Sequence, residues 1–189
     1  MTREPPAGPR PPVALGCIGA AAFVGIVVLL AVAAAGFLES GANTGRLVLA
    51  PADSYGNGSV EYIAERNFYL VRLVDGSFVA LSDLDAANRR NAQRRCRVAP
   101  IPTTDPKLPG LLNAYAGRMS AKAAGTTLLF REDCNSAIYD VTGVRLDSEA
   151  ANLERHPVDI DSAGRLIVDV SKRVCTRRED SKPLVVIAC

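Results

Sequence analysis

The stretch "FREDCNSAIYDVTG", residues 130–143, decides the fold. It places one cysteine, Cys134, at a fixed distance before Tyr139, Asp140 and Gly143. Acidic and amide side chains surround the cysteine, as they do at the rim of a metal site, but the stretch contains no second cysteine and no histidine. The segment therefore either holds a metal in another way or keeps only the outline of a metal-binding loop.

The flanking sequence predicts antiparallel β-structure. Residues 67–82, "NFYLVRLVDGSFVALS", contain two β-favouring runs around Asp75-Gly76, which is a strong hairpin signal. Residues 156–171, "HPVDIDSAGRLIVDVS", repeat this design around a turn at residues 161–164. Several short strands separated by turns indicate a small antiparallel sandwich or barrel-like domain. Residues 100–124 interrupt the pattern and predict an insertion with one short helix.

An uncharged apolar segment, residues 13–38, precedes the β-rich part. A helix of that length spans about 39 Å, more than the hydrocarbon core of about 30 Å. The apolar part of a cleaved signal peptide is usually shorter, at about 7 to 15 residues. We therefore expect one retained N-terminal transmembrane helix.

The sequence on either side of the apolar segment predicts its orientation. Residues 1–12 are rich in proline and predict a disordered tail, and residues 39–59 are rich in turn formers and predict a tether. Arg3 and Arg10 precede the helix, whereas Arg46 alone follows it closely, which favours a cytoplasmic N-terminus. The C-terminal part is then expected on the periplasmic or extracellular side, where disulfides persist.

Composition and missing motifs exclude several functions. The chain has 189 residues and a net charge of only +2, which gives no nucleic-acid-binding footprint. It contains no G-x-S-x-G, phosphate-binding loop or C-x-x-C motif. We therefore expect no catalytic residues and no enzymatic activity of its own.

Three segments together resemble the Rieske iron–sulfur domain. They are "FYLVRLVDGSFVALSD", "FREDCNSAIYDVTG" and "LERHPVDIDSAGRLIVDVS", and they follow one another in the family's order. The resemblance implies a mainly β, antiparallel Rieske-like sandwich or barrel over residues 60–174, with residues 175–189 as a C-terminal extension. In that family two loops at one tip each carry one cysteine and one histidine ligand of a 2Fe–2S cluster. The cytochrome bc type adds one cysteine to each loop, and these two form a disulfide.

The ligand positions of the family carry other residues here. In the second loop, Glu132 stands at the ligand cysteine and Asn135 at the ligand histidine. In the first loop, anchored at Cys96, Asn91 and Gln93 stand at the two ligand positions. A Rieske cluster needs two thiolates and two imidazoles, and this chain has a single histidine. The resemblance therefore predicts no bound cofactor or metal, the alternative being a 2Fe–2S cluster with unusual ligation.

The resemblance also predicts a disulfide. Cys96 and Cys134 match the two positions that pair in the bc-type family, and such a bridge contributes roughly 4 kcal/mol to stability. Cys175 and Cys189 form a second candidate pair, for which two free thiols stay open as the alternative.

Two functions remain open from the sequence. The first is a membrane-anchored, non-redox accessory or structural subunit, whose membrane partners the resemblance places in a respiratory or other electron-transfer complex. The second, which the resemblance also implies, is a genuine Rieske-type iron–sulfur electron-transfer subunit with unusual ligation, that is, an electron-transfer component of an oxidoreductase. Nucleic acid is not an expected partner of either.

Overall fold

The computed structural model describes Gly8, Phe23 and residues 25–34, 45–85, 88–89, 96–179 and 182–189. The chain divides into two compact units, Met1–Asn43 and Thr44–Cys189. In the first unit, residues 25–34 are helical and exposed. No helix within the described part of the chain is long and apolar enough to cross a membrane. Most of the predicted tail (1–12) and transmembrane helix (13–38) lies outside the described residues.

The second unit is mainly β, and all strand pairs among its described residues are antiparallel, which confirms the predicted fold class at this level. The strands are β1 (Arg46–Pro51), β2 (Val60–Ile63), β3 (Phe68–Arg72), β4 (Phe78–Asp85), β5 (Val98–Pro100), β6 (Leu129–Glu132), β7 (Ile138–Asp140), β8 (Leu153–His156), β9 (Val158–Ile160), β10 (Arg165–Asp169), β11 (Cys175–Glu179) and β12 (Lys182–Ile187).

Within the described residues these strands form four sheets. The largest has the order β2-β3-β4-β8. Two three-stranded sheets have the orders β1-β10-β9 and β5-β6-β7, and β11 pairs with β12. The two predicted hairpins are present as the pairs β3–β4 and β9–β10.

The central strand β3 explains how three of these sheets pack together. Alternate residues of a strand point to opposite faces, and β3 is buried on both of them. Phe68 and Leu70 belong to one core cluster with Leu166 of β10. Tyr69 packs on the other side against Phe130 of β6, with 5.2 Å between the ring centroids. Each fully buried side chain of this size contributes about 1.5–3 kcal/mol, so β3 joins the two neighbouring sheets through their cores.

A helix, Leu108–Tyr115, lies within the predicted insertion at residues 100–124. A proline stands in its first turn, where the missing N–H costs nothing. Leu108 is buried against Leu129 and Ile138 of the β5-β6-β7 sheet. The helix thereby covers the face of that sheet which β3 does not occupy.

Two segments contribute more to the fold than the sequence indicates. Residues 46–51, predicted as part of the tether, are β1 and pair with β10. Their alternation buries Leu47 and Leu49 in part against the same core cluster as Phe68, and this explains why they join the sheet. The extension at residues 175–189 forms the β11–β12 hairpin, which a bridge between Ala151 and Arg177 connects to the rest of the unit.

Candidate functional site

The loop between β6 and β7, residues 133–137, and the start of β5 form what we call the tip. Cys96 and Cys134 are joined by a disulfide across it, with 5.5 Å between their Cα atoms. The backbone N–H of Asp133 also donates to the carbonyl of Arg97, at 3.0 Å. The predicted Cys96–Cys134 bridge is therefore present, and it ties two segments that are distant in sequence.

Glu132, at a ligand position of the family, is buried at the base of the tip with 1% exposure. Its Oε1 accepts the backbone N–H of Cys134 at 2.8 Å, and its Oε2 accepts that of Asn135 at 2.6 Å. Both carboxylate oxygens therefore hold the loop backbone in place. Asn135 itself is exposed, while Asn91 and Gln93 lie outside the described residues.

The donor atoms at the tip do not fit a Rieske cluster. Donor atoms of Cys96, Glu132 and Cys134 lie within 4.8 Å of one another, but the two sulfurs are bonded together and offer no thiolate. The chain's single histidine, His156, ends β8, and its Nδ1 donates to the carbonyl of Lys172 at 2.9 Å. A Rieske cluster requires two thiolates and two imidazoles, so neither half of this set is at the tip.

Substituting Glu132 tests its role in the loop. Glu132→Ala leaves two backbone N–H groups without their acceptor, and we expect a loss of about 3 kcal/mol in the free energy of unfolding. Denaturant unfolding followed by circular dichroism measures it. The exposed neighbour Asp133 provides the control, since Asp133→Ala should stay within about 0.5 kcal/mol of the unmodified chain. Equal midpoints for the two variants would contradict the role assigned to Glu132.

The Asp140–Gly143 turn is built around a buried carboxylate. Asp140 has 0% exposure, and its Oδ2 accepts the backbone N–H of Ser120 at 2.8 Å. Its Oδ1 accepts the N–H of Thr142 at 2.8 Å, the Thr142 hydroxyl at 2.7 Å and the N–H of Val144 at 3.1 Å. Gly143 has φ +80°, and a Cβ there would lie 2.8 Å from Cδ2 of Leu81. The fixed spacing of Asp140 and Gly143 therefore serves the turn.

Tyr139 connects this turn to the largest sheet. The side chain is fully buried, and its hydroxyl donates to Oδ2 of Asp85 at 3.0 Å. Burial, and then the charge of Asp85, raise the pKa of Tyr139 well above its usual value. The Arg145 guanidinium lies 5.7 Å from the ring centroid, and its positive charge partly offsets this rise in the pKa of Tyr139. Tyr139 thus stays protonated and acts as a hydrogen-bond donor between β7 and β4.

Arg97, which follows Cys96 directly, is a residue that the sequence analysis missed. Its Nη1 donates to Oδ2 of Asp83, to the hydroxyl of Tyr62 at 2.9 Å and to Oδ1 of Asn67 at 3.1 Å. These three acceptors belong to β4, to β2 and to the β2–β3 turn. The sequence did offer one signal for Arg97, namely its position next to Cys96. A disulfide at Cys96 fixes the backbone from which the Arg97 side chain extends.

The second predicted disulfide, Cys175–Cys189, is also present, with 5.2 Å between the Cα atoms. It closes the β11–β12 hairpin at the end opposite its turn, because Cys175 pairs with Ile187 in the ladder. This bridge stabilises the hairpin and does not reach the tip.

No protein-family model and no curated protein matches the chain. Among solved structures, the chain is similar to the "putative NADH-dependent nitrite reductase small subunit" from Mycobacterium tuberculosis, with 15% identity and a TM-score of 0.36. The match covers 65% of this chain and 92% of the other. That TM-score is too low to establish a shared fold, and nothing about function follows from it.

Proposed function

We propose that residues 44–189 form a Rieske-like head that acts as a non-redox accessory or structural subunit and docks to a protein partner. The observation that carries this proposal is the Cys96–Cys134 disulfide at the tip. It joins Cys96, at the end of the first loop of the resemblance, to Cys134 in the second, where a cluster would otherwise make the connection. Glu132 stabilises the loop by accepting two backbone hydrogen bonds. The residue that stands at a ligand position of the resemblance therefore has a structural role here.

Three observations support the Rieske-like assignment itself. The antiparallel sheets occur with the motifs in the family's order, and the disulfide joins the two cysteines that the resemblance pairs. The Asp140–Gly143 turn follows the second loop directly, as it does in the motif. The assignment thus rests on connectivity and local geometry.

The disulfides also support an extracytoplasmic location. Cys96–Cys134 and Cys175–Cys189 are of the kind that persists in oxidising compartments. We therefore place the head on the periplasmic or extracellular side, with residues 13–38 as its single membrane anchor and the N-terminus in the cytoplasm. Partner subunits of a respiratory or other electron-transfer complex are the expected binding partners, and nucleic acid is not.

A metal analysis of the purified full chain tests the non-redox role. We expect a colourless protein without stoichiometric iron or acid-labile sulfide, and no paramagnetic signal after reduction, because the tip lacks the required thiolates and imidazoles. Cys96→Ser, which removes one bridge sulfur, serves as the matched control and should give the same result. Stoichiometric iron and sulfide in the unmodified chain, lost in Cys96→Ser, would contradict the proposal.

One observation favours a second candidate, an electron-transfer subunit with unusual ligation. Reduction of the bridge would leave Cys96, Cys134 and Glu132 as three possible ligands within 4.8 Å. The same metal analysis after reduction and anaerobic reconstitution with iron and sulfide separates the two functions. A stable cluster formed under these conditions would support the second, and its absence the first.

A further inference from the structure

A cleft of about 670 Å³ lies where β4, the end of β8 and the start of β5 meet. Four arginines line it, namely Arg66, Arg89, Arg97 and Arg173. The sequence gives no reason to group the four, because they come from separate parts of the chain. The cleft is distinct from the Cys96–Cys134 bridge, although Arg97 follows Cys96 directly.

Two buried carboxylates orient three of these arginines. Glu154, whose side chain is 2% exposed, contacts Nε of Arg89 at 2.7 Å and Nη1 of Arg173 at 3.6 Å. Asp83 holds Arg97 in the same way from β4. A guanidinium fixed through one edge has fewer conformations to lose when another edge binds a ligand. The arginines are therefore pre-organised around the cleft.

The charges at the cleft do not balance. Four guanidiniums face two carboxylates, a formal excess of two positive charges. Arg66 is exposed, and its side chain forms no ion pair with any residue in the described part of the chain. A half-enclosed site with this excess attracts an anion.

Asn88 is a buried residue in the wall of the cleft. It lines the cleft, is 6% exposed, and its backbone N–H donates to Oδ1 of Asp85 at 2.7 Å. Its side-chain Nδ2 is buried and has no hydrogen-bond partner among the described residues. A buried donor without an acceptor costs about 1–3 kcal/mol, and such groups usually have a partner. Nδ2 is shielded from solvent and does not open onto the cleft, so the inference rests on the arginines.

We propose that the cleft binds the phosphate group of a dianionic ligand. A phosphate monoester carries about −1.5 to −2 charges near neutral pH, which matches the excess of positive charge. Its oxygens accept paired N–H groups from guanidinium in the geometry that arginine provides. Free phosphate and the phosphoryl group of a lipid headgroup share this chemistry. This inference rests on the cleft alone and does not depend on the proposed function of the head.

Calorimetric titration of the full chain tests the inference, at low ionic strength because salt screens exposed charges. The ligands are inorganic phosphate, pyrophosphate and glycerol phosphate, the last as a soluble headgroup. We expect saturable binding, and an affinity about 10-fold lower for Arg66→Gln and for Arg173→Gln. Arg165→Gln removes an exposed arginine outside the cleft and should leave the affinity unchanged.

The relative affinities of the three ligands identify the kind of anion that the cleft binds. Tighter binding of glycerol phosphate assigns the site to a monoester such as a headgroup, whereas tighter binding of phosphate or pyrophosphate assigns it to a free anion. Absence of saturable binding to all three ligands would overturn the inference. So would equal affinities for Arg66→Gln, Arg173→Gln and the unmodified chain. Circular dichroism checks that each variant is folded, and Arg66→Gln removes no ion pair within the described part of the chain.

Discussion

Replacing Cys96 and Cys134 together by serine is expected to lower the free energy of unfolding of the chain by about 4 kcal/mol. The two residues are 38 positions apart, so the bridge removes considerable loop entropy from the unfolded chain. Domains are usually stable by about 5–15 kcal/mol, which makes this loss a large share of the total. The largest local effect should be at the tip, where positions 96 and 134 are no longer bonded and the backbone from which Arg97 extends is less constrained.

Denaturant unfolding under oxidising conditions measures this change. The matched control is Cys175→Ser with Cys189→Ser, where the positions are only 14 apart and the expected loss is about 3 kcal/mol. Reductant should destabilise the unmodified chain and leave a variant without both bridges unaffected. An unchanged midpoint for the Cys96 and Cys134 double variant would show that the bridge does not brace the tip.

Replacing Asp140 by alanine is expected to lower the free energy of unfolding by about 5 kcal/mol. The substitution leaves three backbone N–H groups and the Thr142 hydroxyl without their common acceptor in a fully buried position. Each unsatisfied buried donor costs about 1–3 kcal/mol, and bonds to a charged acceptor lie at the upper end. Asp140→Asn keeps one acceptor oxygen, but its amide NH₂ replaces the other and faces donors that it cannot accept from. The expected loss in the free energy of unfolding is therefore smaller, about 3 kcal/mol.

Thermal and denaturant unfolding of both Asp140 variants measures the series. Asp159 is exposed on β9, and Asp159→Asn should change stability by no more than about 0.5 kcal/mol. If Asp140→Ala does not fold, Asp140→Asn still gives the graded value. A loss below about 1 kcal/mol in Asp140→Ala would mean that water replaces the carboxylate at this turn and that the turn does not depend on it.

The elements that could be predicted from the sequence are those with local signals. Asp75-Gly76 and residues 161–164 indicate their hairpins through turn chemistry that needs no distant partner. The cysteine pairing at the tip was predicted through the resemblance, because spacing alone leaves several pairings possible. These signals sufficed for the antiparallel β class and for the covalent connection at the tip.

The remaining features depend on contacts between distant residues. The pairing of β1 with β10 was missed because residues 46–51 follow a turn-rich segment and gain their burial from a strand more than one hundred residues away. The arginine cleft has no local sequence signal either, because Arg66 and Arg173 are far apart in the sequence and line the same cleft only in the folded chain. Glu132 was predicted as a lost ligand, whereas its hydrogen bonds to the loop become visible only with coordinates.

The contacts of Arg97 have a consequence for local unfolding. Through Asp83 and Tyr62 this residue binds the largest sheet, while its backbone and the adjacent Cys96 belong to the β5-β6-β7 side. Neither sheet can open alone without breaking these hydrogen bonds and exposing the core that both share around Tyr69. We therefore expect the two sheets to unfold together as one cooperative unit, a single foldon, with the tip inside it.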